Sequence, residues 1–417
     1  MSGNVTGLLG TGLVLQANAA DDLVVAADGS FSFATPLADG ASYSITVKSQ
    51  PKILTKVCTV TNGSGTISTA AVTNVEVTCA APPARFAYVA NSGDNTVSVF
   101  TLDPTLGALS PLAVPTIAAG LFPSAVAVDP GGRFAYVANR DANTLSAYTI
   151  NIATGALGPM AVPAVATGGA PYAIVVDPTG RFAYVANAGS NNVSAFNIDA
   201  SGALSPMAVA TVATGISPQA ITVDPLGRFA YVANYMSSTV SVYAIDANTG
   251  ALSPIATPPV ATGVNPIHVA VHPSGRFAYV ANSSDNTVSA YVIDATTGAL
   301  TPMAVPTVPT GDRPYTVAVE STGRFAYVAD ANGGVVSAYT IDASSGALSP
   351  MTPPTVPTGG SPYSLAVDPT GRFAYAPNID AGTVSAFTID PASGALTPMA
   401  GSPVTAGGNP LGIALSR

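Results

Sequence analysis

The segment Arg-Phe-Ala-Tyr occurs seven times in this chain of 417 residues, starting at Arg85, Arg133, Arg181, Arg228, Arg276, Arg324 and Arg372. The intervals are 48, 48, 47, 48, 48 and 48 residues. So regular a period leaves only repeat architectures open, in which each unit buries its apolar face against its neighbours.

Each unit carries four short β runs. The first follows a proline, as in Pro171-Tyr-Ala-Ile-Val-Val176, and ends in Asp177-Pro-Thr-Gly180, the composition of a type I turn. The second is Arg181-Phe-Ala-Tyr-Val-Ala186, with Phe182 and Tyr184 on one face and Ala183 and Val185 on the other. A polar loop at Asn187–Asn192 leads to the third run, Val193-Ser-Ala-Phe-Asn-Ile198. A Gly turn then precedes a last run around Val209–Val212, broken by Pro and so suited to a sheet edge. Four antiparallel strands ending on such an edge describe a propeller blade. The ends are complementary. The first copy has only Pro82-Pro83-Ala84 before its arginine, and Asn409-Pro-Leu-Gly-Ile-Ala-Leu415 supplies the missing first strand after the last copy. The expected fold is all-β, a seven-bladed β-propeller closed by the C-terminal strand.

Residues 1–80 differ from the rest. They hold all three lysines and both cysteines, and they alternate apolar and polar residues, as in Tyr43-Ser-Ile-Thr-Val47, with Asp28-Gly29 and Asn62-Gly63 as turn signals. This reads as a small β-sandwich domain, followed by a Pro-rich linker at 81–84 and the propeller at 85–417. Cys58 and Cys79 bracket two β-rich runs able to pair as a hairpin. A disulfide between them would close a loop of about 20 residues, worth roughly 3 kcal/mol; the alternative is two reduced, buried thiols. A disulfide would imply an oxidising compartment, so the expected location is extracellular, periplasmic or at the cell surface. Met1-Ser-Gly-Asn lacks a basic leader region. Gly7 to Ala20 ends in Ala-Asn-Ala-Ala but reads better as a strand, so no export signal is expected in this chain.

Composition excludes several classes of function. Charged residues make up 8% and the net charge is −9, with no lysine after Lys56, so the basic footprint of a nucleic-acid binder is missing. Mean hydropathy is +0.41, yet Pro, Gly or Asp interrupts every apolar run before it reaches spanning length. Apolar content of 48% at this low charge also argues against disorder.

The repeated Tyr88-Val-Ala-Asn91, within Pro-x-x-[Ala/Ile/Val]-x-Val-Asp-Pro-x-Gly-Arg-Phe-Ala-Tyr-Val-Ala-Asn, resembles the YVTN β-propeller repeat. The trailing Gly-Ala-Leu-[Ser/Thr]-Pro resembles the 6-phosphogluconolactonase-like branch of the β-propeller lactonases. The resemblance spans roughly residues 85–417 and implies a lactone-hydrolysing activity with a site around the channel mouth. The first 80 residues resemble a small bacterial all-β module found before such propellers.

The Asp-Pro-x-Gly and Gly-Ala-Leu turns are nearly identical between copies and share one face, here called the bottom. The top-face loops vary, so a site is expected there, near the channel. The repeat arginines are expected to pair with the turn Asp of their own hairpin, and the repeated Asn, from Asn91 to Asn378, to form Asx turns. Outside the repeat set, Arg140 and Arg313 lie in top loops. His272 stands at a bottom-turn Asp position. His268, two residues past Pro266, is the histidine able to lie near the channel mouth and the candidate general base. In the lactonase reading Arg140 or Arg313 would steady an oxyanion. Tyr172, Gln219, Tyr235, Tyr315 and Tyr363 are the candidate ligand-binding residues, suited to a contact surface. Top-loop carboxylates (Asp94, Asp141, Asp285, Asp330, Asp380) belong to different blades, so no metal site and no cofactor is expected. The residues favour a monomeric, exported binding scaffold for a small molecule, carbohydrate or surface protein; the alternative is a lactonase of preferably neutral lactones.

Overall fold

The computed structural model describes residues 1–68, 70–255 and 259–417. The chain divides into two compact units, Met1–Pro82 and Pro83–Arg417.

The first unit consists of two four-stranded sheets. In one, Ser2–Thr6 pairs antiparallel with Gly29–Ser32 and parallel with Val75–Ala80, which pairs in turn with Val57–Thr61. The other runs Asp21–Val25, Leu13–Ala17, Ser42–Ser49, Ser64–Thr66. Alternation sets the buried face: Leu13, Leu15 and Ala17 join Val5, Phe31, Ile45, Val75 and Val77 in one core. Cys58 and Cys79 stand directly opposite each other and form a disulfide, 21 residues apart in sequence. Reducing it should cost this unit about 3 kcal/mol by releasing loop entropy in its unfolded state. In calorimetry of the whole chain, dithiothreitol should lower one minor transition and leave the main one in place. A uniform shift of both would contradict independent units.

In the second unit each blade is an antiparallel sheet, and in blades 2 to 7 the strand order is the sequence order. In blade 2 the inner strand Pro123–Val128 is followed by Phe134–Asn139, Thr144–Ile150 and the outer strand Leu157–Ala166. The second strand, Phe-Ala-Tyr-Val-Ala-Asn, is buried on both faces because blades pack on either side of it. In blade 3 the outer strand runs from Leu204 to Ala213, longer than the expected Val209–Val212. Its Ser-Pro start stays paired through a bulge between Ser194 and Phe196, and Pro206 loses nothing because it faces the open edge. The ring closes as expected: Pro410–Ser416 pairs with Phe86–Asn91 and is the inner strand of blade 1. Among the described residues there is no helix.

One set of contacts, repeated seven times, joins blade to blade. The second-strand tyrosine donates its hydroxyl to the Gly carbonyl of the next blade's Gly-Ala-Leu turn, from Tyr88 to Gly155 (2.9 Å) through Tyr184 to Gly250 (2.7 Å). Tyr375 to Gly107 (2.7 Å) completes the circle. The arginine beside it lies over its own Phe, 4.7 to 5.3 Å from the ring centroid in all seven blades. Among the described residues, the expected pairing with the turn Asp forms at Arg133–Asp129 (3.7 Å) and Arg228–Asp224 (3.2 Å) and at no other repeat arginine. Instead the guanidinium reaches forward, as Arg181 does to the Ala247 carbonyl (2.6 Å) and Arg372 to that of Pro104 (2.5 Å). The turn Asp accepts backbone N–H groups: Asp177 takes those of Arg181 and Phe182. His272 does the equivalent work across blades, with Nδ1 on the Ser274 hydroxyl (2.7 Å) and Nε2 on the Gly323 carbonyl (2.8 Å).

The repeated Asn is a buried latch rather than an Asx turn. Asn139 donates Nδ2–H to Thr144 Oγ1 (3.1 Å) and Ser146 Oγ (2.9 Å), and its Oδ1 accepts from Gly120 N–H (3.0 Å). It thereby ties the third strand to the loop that enters the inner strand.

Candidate functional site

The inner strands, each entered through a proline at the top face, line the central channel. A cavity of ≈ 160 Å³ lies there, bordered by the residues one to three positions past each proline. Of the five candidate ligand-binding residues, Tyr172, Gln219, Tyr315 and Tyr363 line it, and so does His268. Tyr235 does not. It lies in the loop after the second strand of blade 4, where its N–H donates to the Ser217 carbonyl and its own carbonyl accepts from Asn265 Nδ2 (3.1 Å).

The tyrosines do not stand in an open circle. Tyr172 of blade 3 and Tyr315 of blade 6 meet across the channel, hydroxyl to hydroxyl at 2.5 Å. Tyr363 of blade 7 packs on Tyr315, with ring centroids 4.2 Å apart and planes inclined at 43°. Burial raises the pKa of both bridging phenols, so they stay protonated at neutral pH.

Tyr363 owes its position to one proline. In blades 2 to 6 the alanine before the latch residue pairs with the inner strand, as Ala138 does with Ala125. Blade 7 has Pro377 there, with no N–H to give, and its inner strand shrinks to Ala366–Val367. The Tyr363 carbonyl is met from the neighbouring blade instead, by the Thr316 hydroxyl at 3.1 Å.

His268 sits one step further along its inner strand. Part of its ring borders the cavity, and Nδ1 is buried with no hydrogen-bond partner. Desolvation pushes its pKa down to about 4, so the imidazole is neutral at working pH. Neither arginine reaches it. Arg140 lies over Phe122 (5.0 Å) and donates its backbone N–H to the Phe122 carbonyl; Arg313 is exposed, 6.0 Å from the Tyr363 centroid. Both bias the Tyr172 phenol towards ionisation, which places them within electrostatic range of the mouth rather than in the cavity. Among the described residues, no three His, Cys, Asp or Glu side chains gather as a metal site.

Read in register, the residue two past the proline shows a pattern that inspecting the histidines alone misses. Blades 2, 3 and 4 carry Ala125, Ala173 and Ala220, and blade 1 carries Gly412, whereas blades 5, 6 and 7 carry His268, Thr316 and Ser364. One flank of the channel is small and apolar, the other polar.

Asp330, which replaces the latch Asn in blade 6, is a carboxylate whose acidity is markedly weakened. Burial raises its pKa from 3.8 to about 6, although it accepts from Ser337 Oγ (2.6 Å) and Thr310 Oγ1 (2.8 Å). Between about pH 4 and 6 the native state therefore keeps a proton that the unfolded chain has lost, so stability falls as pH rises through that window and the full penalty of the buried charge stands above it. Asp330→Asn should stabilise the propeller by about 2 kcal/mol at pH 8 and by nothing at pH 4. Paired denaturant curves at the two pH values test this; an equal effect at both would exclude the buried charge as its cause.

Comparison with known proteins agrees with this architecture. The family described as "Lactonase, 7-bladed beta-propeller" matches residues 54–171, 161–265 and 256–411. No curated protein matches the chain. Among solved structures, a candidate 6-phosphogluconolactonase from Bacteroides fragilis aligns with TM-score 0.69 and 21% identity, covering 80% of this chain and 98% of its own. The periplasmic gluconolactonase PpgL of Pseudomonas aeruginosa aligns with TM-score 0.67 and 21% identity, covering 80% and 99%. A protein from Lactobacillus plantarum aligns with TM-score 0.69 and 20% identity, covering 81% and 100%. At these identities the solved structures establish the fold alone. With the family matched over most of the chain and seven antiparallel blades closed by the C-terminal strand, the chain belongs to the seven-bladed β-propeller lactonase family.

Proposed function

We propose that this chain is an exported binding propeller that engages a carbohydrate or surface-protein partner through its top face and does not hydrolyse lactones. The observation that carries this reading is the Tyr172–Tyr315 hydroxyl contact, which spans the channel where a substrate would enter. Hydrolysis of a lactone needs a base matched to working pH and a donor for the oxyanion. Here His268 is a weak base, and the two top-face arginines lie on aromatic rings outside the cavity. The rest of the top face suits contact: Ile216, Met236 and Val264, on blades 4 and 5, are exposed beside Tyr235. The Cys58–Cys79 disulfide supports an oxidising compartment, and PpgL is periplasmic.

Lactone hydrolysis is the second reading, favoured by the family and by His268 at the cavity. Neutral and phosphorylated lactones should be offered to the protein and to His268→Ala side by side. The expected result is no turnover above background in either. Turnover abolished in the variant would overturn the binding reading and assign His268 as the base. Turnover equal in both would also overturn it and place the chemistry elsewhere.

A further inference from the structure

The polar flank of the channel is under-used by the protein itself. His268 Nδ1 is buried without a partner. Gln219, on the adjacent inner strand, lines the same cavity, and its side chain makes no hydrogen bond among the described residues. Ser364 is in the same condition on the far side of Thr316. Leaving the buried His268 Nδ1 unmet costs free energy, and Gln219 and Ser364, half-buried beside it, line the same cavity, which points to an occupant that completes these bonds.

The chemistry of the lining narrows the class of that occupant. A neutral imidazole, a carboxamide, a serine hydroxyl and the phenols each offer both a donor and an acceptor. Their natural counterpart is a group with the same duality, a hydroxyl. Among the described residues no charged side chain borders the cavity, so an ion would lose its hydration without compensation. Opposite the polar flank stand Ala125 and Ala173, with Tyr172 beside them, a surface suited to the C–H side of a polyol carbon chain. A cavity near 160 Å³ is benzene-sized, room for about six non-hydrogen atoms.

We infer that the channel is a binding site for a short uncharged polyol, or the polyol-like end of a sugar, held by Gln219 and His268 on one side and packed against alanine and tyrosine on the other. This rests on the binding reading of the top face and gives it a ligand class. Entry is expected at blade 7, where the inner strand shortens to Ala366–Val367 and the Tyr363 segment meets its own sheet through isolated bonds, Tyr363 N–H to the Pro377 carbonyl (3.3 Å) and Ile379 N–H to that of Ser361 (2.9 Å), instead of a continuous ladder.

The protein contains only two histidines, so imidazole nitrogen NMR reads the site directly. His272, fixed at the bottom by Ser274 and Gly323, is an internal reference. Glycerol and erythritol are titrated into the intact, nitrogen-15 histidine-labelled protein, with 1-propanol as the control that has glycerol's carbon count and one hydroxyl. The expected result is a saturable shift of the His268 signals by the polyols, none by 1-propanol, and none at His272. Gln219→Ile should weaken the polyol affinity by about tenfold, the loss of one good hydrogen bond. Blade 5 already carries Ile267 at that position, so the scaffold tolerates the side chain. His268→Ala, copying Ala125, Ala173 and Ala220, should weaken glycerol binding similarly when followed by calorimetry. Shifts that rise linearly without saturating, that move both histidines together, that 1-propanol reproduces, or that survive both substitutions would each overturn the site. Lactone turnover is measured separately: a hydrolase that also binds glycerol here would remove the non-catalytic reading and keep the polyol site.

Discussion

A chain ended after Thr405 is expected to lose the cooperative folding of the propeller unit. The missing segment supplies the inner strand of blade 1, where it pairs along Phe86–Asn91 and accepts at Ser416 the N–H of Arg85 (2.7 Å). It also brings Leu411, Ile413 and Leu415 against blades 1, 2 and 7, as part of the packing between first and last blades. Losing these side chains and the ladder removes about 5 kcal/mol, comparable with the whole stability of an ordinary domain. The main calorimetric transition should vanish or fall by many degrees. A synthetic peptide covering residues 406–417 should restore it in proportion to its concentration. Removal of Arg417 alone is the control, expected to change little. A truncated chain that melts where the full one does would show that closure by this strand is not what holds the ring.

The second large effect is expected at a single glycine. Gly250 has φ +71 and receives the Tyr184 hydroxyl, and a Cβ on it would lie 2.5 Å from Phe182 Cδ1, 2.6 Å from Phe182 Cγ and 2.7 Å from Met207 Cε. Gly250→Ala therefore combines left-handed backbone strain, about 1 kcal/mol, with overpacking of about 2 kcal/mol between blades 3 and 4. Gly227→Ala separates the two: its φ is +72, but the nearest atom, Pro178 Cδ, is 3.6 Å away, so only the backbone cost applies. Chemical denaturation should place Gly250→Ala about 2 kcal/mol below Gly227→Ala. Equal losses would mean that the interblade wedge of Phe182 under the turn is softer than its geometry implies.

The number of blades, the order of strands and the closing strand are all visible in the sequence because they rest on local alternation and on comparing copies. Each copy acts as a control for the others, so a missing strand at one end and a surplus strand at the other stand out. The turns, the channel position of the post-proline residues and the placing of His268 follow from the same register. What escapes is contact between copies. The bond from Tyr184 to Gly250 and the reach of Arg181 to Ala247 link residues 66 apart, and the type of side chain gives no sign of which blade it touches. The arginine looks like a partner for the nearest carboxylate, yet that carboxylate is already occupied by backbone N–H groups. The Tyr172–Tyr315 contact joins residues 143 apart, three blades round the ring, and depends on the channel radius. Pro377 is visible as a substitution, but its effect on Tyr363 appears only once the ladder it interrupts is known.

The junction in blade 1 has a further consequence. Ser416 and Arg85 stand in the same relation as the ends of the Asp-Pro-x-Gly turn in other blades, without the turn between them. The break in the covalent chain is thus interchangeable with six other positions around the circle. A circular permutant of the propeller, joined through Pro-Thr-Gly between Ser416, which stands at the turn-Asp position, and Arg85, and opened between Thr179 and Gly180, would retain every interblade tyrosine and arginine contact. The place where the chain enters the propeller and the place where the ring is sealed are separable properties of this architecture.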